Sequence, residues 1–232
     1  MQQRGVILSR RNFIRSALAA GVLLPGGVGG LIAEALAQGK GRPGVNRMRG
    51  QVRVNGEPVK PGSIIKPGDT VTTGPKSYVT FVVGQDAFLM RGDTKLELGG
   101  ATETLVNLAR VLTGKLLSVY LKGPPRKIEG VTATIGIRGT GAYIEVEPER
   151  TYFCLCYGEA EIVPVAAPDA AEVVRTRHHE SPRYIYGKGR AQVMEKAPVI
   201  NHRDEELVLL ESLVGRIPAF LQNQINEFGP NY

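Results

Sequence analysis

Cys154-Leu155-Cys156 and, further on, Arg177-His178-His179-Glu180-Ser181-Pro182 are the residues of this sequence best suited to chemistry. Both cysteines and two of the three histidines fall within 26 consecutive positions. Residues two apart on a strand share a face, so Cys154 and Cys156 would stand side by side with Cα atoms roughly 6.5 to 7 Å apart. That separation is at or beyond the usual reach of a disulfide. Two thiolates so placed can readily share a metal, each sulfur about 2.3 Å from a zinc-like ion. Neighbouring side chains on an extended strand point opposite ways, so only one of His178 and His179 would join them naturally, unless a turn before Pro182 brings both round. Three readings stay open at this point. One is a site for one transition metal ion such as zinc, held by Cys154, Cys156, His178 and His179. The smaller version of that ligand set leaves a coordination position free for redox or hydrolytic chemistry. The second is a disulfide or redox pair. The third is plain structure, with the cysteines acting as small buried hydrophobes.

Other catalytic patterns are absent from the sequence. Ser181 lies near histidines, but no G-x-S-x-G elbow surrounds it. The Asp and Glu residues are scattered, so no acid–base pair can be singled out. Gly136, Gly139 and Gly141 are spaced G-x-x-G-x-G with no Lys-Ser/Thr after them, which fits neither phosphate-binding fingerprint. Glycines in an apolar run instead suggest a bulge or a close backbone approach. Arg138, at the end of that run, is either a buried structural arginine or part of a ligand site. A non-catalytic protein is therefore expected.

The elements that would position these residues are mostly strands. Short runs rich in Val, Ile, Leu, Thr and Tyr recur at intervals of about ten residues, separated by Gly, Pro, Asn and Asp. They include Ser77 to Val83, Ala87 to Met90, Lys95 to Leu98, Gly114 to Leu121, Val131 to Ile137, Ala142 to Glu147 and Thr151 to Tyr157. Asn55-Gly56 is a hairpin signal, and Pro61-Gly62 and Pro67-Gly68-Asp69 are tight-turn signals. One stretch has another period: Leu207, Leu210, Leu213, Val214 and Ile217 line one face of a helix over 204–220. Asp204, Glu205 and Glu206 suit its N-terminus, and Pro218 would close it. The expected fold class is all-β, a short β-solenoid or sandwich of about ten strands with one C-terminal α-helix.

The chain begins with a different kind of information. Ser9-Arg10-Arg11-Asn12-Phe13-Ile14-Arg15 carries the adjacent arginines Arg10 and Arg11, with Phe13 two positions on, of a twin-arginine export address. An uncharged stretch from Ser16 to Ala33 follows, and Ala35-Leu36-Ala37 offers a cleavage site after Ala37. Pro25 and five glycines make that stretch too weakly apolar for a good membrane anchor. Residues 1–37 are thus expected to be a signal peptide, 38–46 a flexible mature N-terminus, and the protein periplasmic. Contact with the membrane is expected only through an uncleaved signal. Loss of Arg4, Arg10, Arg11, Arg15 and Glu34 lowers the formal charge from +7 to +4. The remaining excess is small and dispersed, so nucleic acid is not an expected partner.

Several motifs taken together resemble a known family. Gly50-x-Val52-x-Val54-Asn55-Gly56, Ile65-x-Pro67-Gly68-Asp69-Thr70-Val71-x-Thr73-Gly74, Leu112-x-Gly114-Lys115-Leu116-Leu117 and Thr132-Ala133-Thr134-Ile135-Gly136-Ile137-Arg138-Gly139-Thr140 resemble FecR-type domains. The resemblance runs from about Gly50 to Gly158 and implies a domain over 47–158, leaving 159–203 as a β and loop extension that carries His178 and His179. It implies an all-β envelope module that works by binding or sensing an envelope protein or polymer. Regulators of that family grip a sigma factor through a domain that precedes the membrane segment. Only eight residues precede Ser9 here, so that role is not expected of this chain. Replacing Arg10 and Arg11 together with lysine is expected to leave full-length precursor in the cytoplasm, because the receptor reads the arginine pair and not its charge. Immunoblotting of fractionated cells checks this, and normal periplasmic accumulation would refute the address.

Overall fold

A computed structural model describes residues 42–221. The export-signal residues Arg10, Arg11 and Phe13 and the cleavage site after Ala37 lie outside the described residues. Among the described residues lie fourteen strands, a single 3-10 turn (Pro168–Ala170), one complete α-helix and the helical residues 219–221: β1 (Gly44–Arg49), β2 (Val52–Val54), β3 (Glu57–Pro58), β4 (Thr70–Thr73), β5 (Tyr78–Val83), β6 (Asp86–Met90), β7 (Lys95–Thr102), β8 (Leu105–Val119), β9 (Arg126–Glu129), β10 (Ala133–Val146), β11 (Arg150–Pro164), β12 (Glu172–Thr176), β13 (Arg183–Tyr186), β14 (Met194–Lys196) and α1 (Asp204–Leu213). All strands are hydrogen-bonded into one open, folded sheet. The fold is all-β with a C-terminal helix, as the spacing of apolar runs and turn residues indicates. The strands outnumber the expected ten because short ladders at the sheet ends, such as β2, β3 and β14, are too brief to leave a periodic signature.

The turn residues explain the first hairpins. Asn55 and Gly56 both take positive φ, 54° and 89°, as a two-residue hairpin turn requires, and Val54 pairs with Glu57 across it. Pro61-Gly62 makes the next turn, and Pro67-Gly68 the one after it, with the Asp69 amide donating to the Lys66 carbonyl at 3.1 Å. The Asn55-Gly56 and Pro67-Gly68 turns lock together. Asn55 Nδ2 donates to Asp69 Oδ1 at 2.8 Å, while Asn55 Oδ1 accepts the Thr70 amide at 2.9 Å. The Asn-Gly and Pro-Gly-Asp-Thr motifs are thus one interlocked structure.

Two runs expected as separate strands, 131–137 and 142–147, are one bent strand, β10. Its register to β11 shifts between Arg138 and Gly141, and Gly139 has φ of 57°. A Cβ at Gly139 would lie 2.5 Å from the Lys122 Cα, so glycine is required by both φ and space. Before the bulge β10 pairs with β9, and after it with β8.

Alternation along β10 and β11 feeds two cores. Ile135, Ile137, Ile144, Phe153 and Leu155 face the main cluster with Phe81, Phe88 and Leu116. Tyr143, Tyr152, Cys154, Cys156 and Tyr157 face the other way, where Leu207, Leu210 and Leu213 of α1 cover them. A ten-residue helix is marginal alone in water, so this apolar face sustains it. The helix ends earlier than expected, at Leu213 and not near Phe220. Gly215, with φ of 73°, stops it in a Schellman motif: the Arg216 amide donates to the Glu211 carbonyl at 2.8 Å and the Gly215 amide to Ser212 at 3.0 Å. Pro218 lies beyond an end already made. Leu210 is fully buried whereas Ile64 is 64% exposed. Leu210→Ala is expected to cost about 2–5 kcal/mol in urea unfolding, and Ile64→Ala less than about 0.5 kcal/mol.

Candidate functional site

Cys154 and Cys156 occupy alternate positions of β11 and so face the same side, beneath the start of α1. Both are fully buried, and both are free thiols. The chain returns to them twice. The turn after β12 carries His179, whose backbone amide donates to the Cys156 carbonyl at 3.0 Å. The segment leading into α1 carries His202, whose ring stacks on Tyr143 at 4.5 Å and 23°. His179 Nδ1 lies 3.4 Å from Cys154 Sγ and 3.0 Å from His202 Nε2. One donor atom from each of Cys154, Cys156, His179 and His202 falls within 4.8 Å of all the others. A set of two thiols and two imidazole nitrogens at such range suits a tetrahedral ion.

The histidines beside Pro182 separate. His179 joins the cysteines, with φ of 54° turning it inward, a sparsely populated conformation in which His is enriched. His178 points outward: its Nε2 lies 2.9 Å from Asp204 Oδ1 and Oδ2, and its ring stacks on Phe220 at 4.6 Å. His202 was missed by sequence spacing, since it lies far along the chain from the cysteines. A signal was available in its place two residues before the acidic start of the helix. Asp204, read from the sequence as a helix-dipole residue, is also the partner of His179 Nε2 at 3.1 Å.

The local field separates the two thiols. Cys154 is pushed down to about 4, chiefly by its hydrogen bond with Cys156 and further by His179 and His202, which together outweigh burial. Burial and the neighbouring Cys154 push the Cys156 thiol up. Burial disfavours the His179 imidazolium, but the hydrogen bonds to Asp204 and Cys154 prevail and raise it to about 9. The hydrogen bond from His179 lowers Asp204, with His178 adding to the effect.

Arg138 stands apart from this cluster. It is exposed, not buried as a structural arginine would be, because it lies on the part of β10 before the bulge, whose outward face α1 does not cover. It lines an open groove of about 870 Å³ with Lys122, Arg175, Arg177 and Glu180.

Comparisons with known proteins give little beyond this geometry. The profile of one family, described as S4 domain, matches residues 48–71, a short stretch holding the β2–β3 hairpin. No curated protein sequence matches the chain. Two crystal structures of a candidate anti-sigma factor from Parabacteroides distasonis ATCC 8503 are similar in part. One has a TM-score of 0.46 at 8% identity and the other 0.45 at 9%, each over 55% of this chain and 59% of that one. The alignment thus spans less than two thirds of either protein.

Burial makes a direct statement about the thiols. With a thiol-counting reagent the native chain is expected to react negligibly, and after unfolding in guanidinium chloride without reductant to yield two thiols per chain. A count of zero would mean that the pair has oxidised to a disulfide.

Proposed function

We propose that this chain is a non-catalytic binding or sensing module of the bacterial envelope, of FecR type, which engages an envelope protein or polymer through its outer surface. The observation that supports this is where the reactive groups lie. Among the described residues the nucleophile whose thiol is pushed down, Cys154, is fully buried under α1, and a substrate cannot reach a nucleophile without an opening. Two open grooves of the sheet, one around Arg138 and one around Glu147, Arg150 and Tyr186, are lined by charged and turn residues and include neither cysteine. The interlocked Asn55-Gly56 and Pro67-Gly68-Asp69 turns and the Gly139 bulge give the family-like motifs a scaffold role, which agrees with a protein that presents a surface.

A photo-crosslinking residue at Val173, 50% exposed on an outer strand, or at Ile64 is expected to give a discrete adduct with one envelope component in intact cells. Absence of any adduct from these positions and from the Arg138 groove would overturn the binding reading. Turnover of any peptide, ester or glycoside substrate by the purified chain, abolished by Cys154→Ser, would overturn the non-catalytic one.

A further inference from the structure

We infer that Cys154, Cys156, His179 and His202 form a closed tetrahedral site for one thiophilic transition metal ion of the zinc class, and that Asp204 is its outer partner. This goes beyond the binding reading above and does not depend on it.

The first argument comes from the hydrogen bonds on the far sides of the two imidazoles. His202 Nδ1 lies 2.7 Å from the Ile200 carbonyl oxygen. A carbonyl only accepts, so Nδ1 carries the hydrogen and, in the neutral ring, Nε2 presents a lone pair. His179 Nε2 lies 3.1 Å from the Asp204 carboxylate. Nε2 therefore carries a hydrogen there, and Nδ1 is the nitrogen left to present a lone pair once the His179 imidazolium gives up its other proton. Those two nitrogens face each other at 3.0 Å, with the Cys154 sulfur alongside His179 Nδ1 at 3.4 Å. In the ion-free chain the His179 proton bridges this contact, and a metal ion would take its place. Each outer hydrogen bond therefore selects the tautomer that a metal needs, the arrangement by which proteins orient ligating histidines.

The second argument is metric. Around a tetrahedral ion with bonds of about 2.0–2.1 Å to nitrogen and 2.3 Å to sulfur, the edges are about 3.3 Å for N–N and about 3.5 Å for S–N. The two observed edges, 3.0 and 3.4 Å, lie close to these. The other four edges are bounded at 4.8 Å, so ligation needs the four atoms to draw together by no more than about 1 Å per edge.

The third argument is where strain and burial are spent. Of five non-glycine residues with positive φ among those described, one is His179 and another is Asn201, next to His202. Strained backbone of this kind collects at functional sites. In the ion-free chain the two sulfurs and two imidazole nitrogens are satisfied mainly by one another and by the Cys154 carbonyl, and one divalent ion can take all four as ligands. Soft sulfur with imidazole in a tetrahedron favours zinc over magnesium or calcium. With four protein donors no coordination position is left for water or substrate, so the ion holds structure and does not hydrolyse. It ties β11, the turn after β12 and the entry to α1 to one point.

The test is direct. The full chain, purified from cells supplied with zinc, is expected to hold about one equivalent of metal. Cobalt is expected to replace it, giving the strong visible bands of a tetrahedral ion and a thiolate-to-cobalt charge-transfer band. Asp204→Asn is expected to weaken binding about 10- to 100-fold, and His202→Ala to weaken it more. His178→Ala is expected to leave stoichiometry and spectrum unchanged. Metal content far below one equivalent with no uptake of cobalt would overturn the inference, as would a six-coordinate spectrum or one lacking thiolate charge transfer. A His202→Ala protein that binds as tightly as the unaltered chain would overturn the assignment of the fourth ligand. Far-ultraviolet circular dichroism checks that each variant folds. Should one not fold, the stoichiometry and cobalt spectrum of the unaltered chain decide alone.

Discussion

Period-two alternation along β11 is the constraint on which the rest of the molecule depends. Phe153 and Leu155 point into the main core, which obliges Tyr152, Cys154 and Cys156 to point out of it. A row of apolar side chains on the outer face of a central strand cannot be left in water without cost, at about 25 cal/mol per Å² of apolar area. The chain covers it with α1 and the loops leading to it. That cover brings His179 and His202 over the sulfurs. A one-residue slip of β11 would exchange the two faces entirely, placing Phe153 under the helix and the cysteines in the main core.

The helix is held at both ends by polar groups as well as by its apolar face. Near its start, Arg91 Nη2 donates to Glu206 at 2.9 Å and to the Asn201 carbonyl at 2.7 Å. Asn201 in turn donates to Glu145 at 2.8 Å. At its end, Tyr157 donates to Glu211 at 2.5 Å, and Arg216 closes on the same carboxylate. Glu211 is only 4% exposed, and a buried charge of this kind is tolerated because it is paired and hydrogen-bonded. These contacts leave His202 and Asp204 little freedom, so the site is assembled by the fold before any ligand arrives.

What the sequence conveyed follows from the range of each interaction. The Asn55-Gly56 and Pro67-Gly68 turns are local, and their residue types alone give the hairpins. Same-face placement of Cys154 and Cys156 is equally local, since it needs only that 151–157 be extended. The end of the helix was misjudged because apolar periodicity continues past Leu213 through Val214 and Ile217, while the Gly215 Schellman motif that stops it depends on backbone conformation. The bend in β10 was hidden because Gly136, Gly139 and Gly141 read alike, yet only Gly139 meets the Lys122 backbone. His202 was hidden for a simpler reason: its closeness to Cys154 is created by the packing of α1, which no spacing rule expresses.

The relation of β8, β9 and β10 carries a kinetic consequence. Residues 114–119 of β8 pair directly with 141–146 of β10. Residues 108–110 of β8 and 134–137 of β10 leave that ladder at opposite ends and are joined through β9, which is parallel to β8 and antiparallel to β10. The three strands thus make a closed circuit of ladders with β9 as its link, tied to β6 by the buried Arg126–Asp86 ion pair at 3.1 Å. The β8–β10 ladder can zip by itself, but the circuit stays open until β9 docks on both strands. Non-local pairing of this order delays the reward for closing each loop and slows folding. Once seated, β9 can leave only if ladders on both of its sides break together, so the same link that retards assembly also retards its reversal.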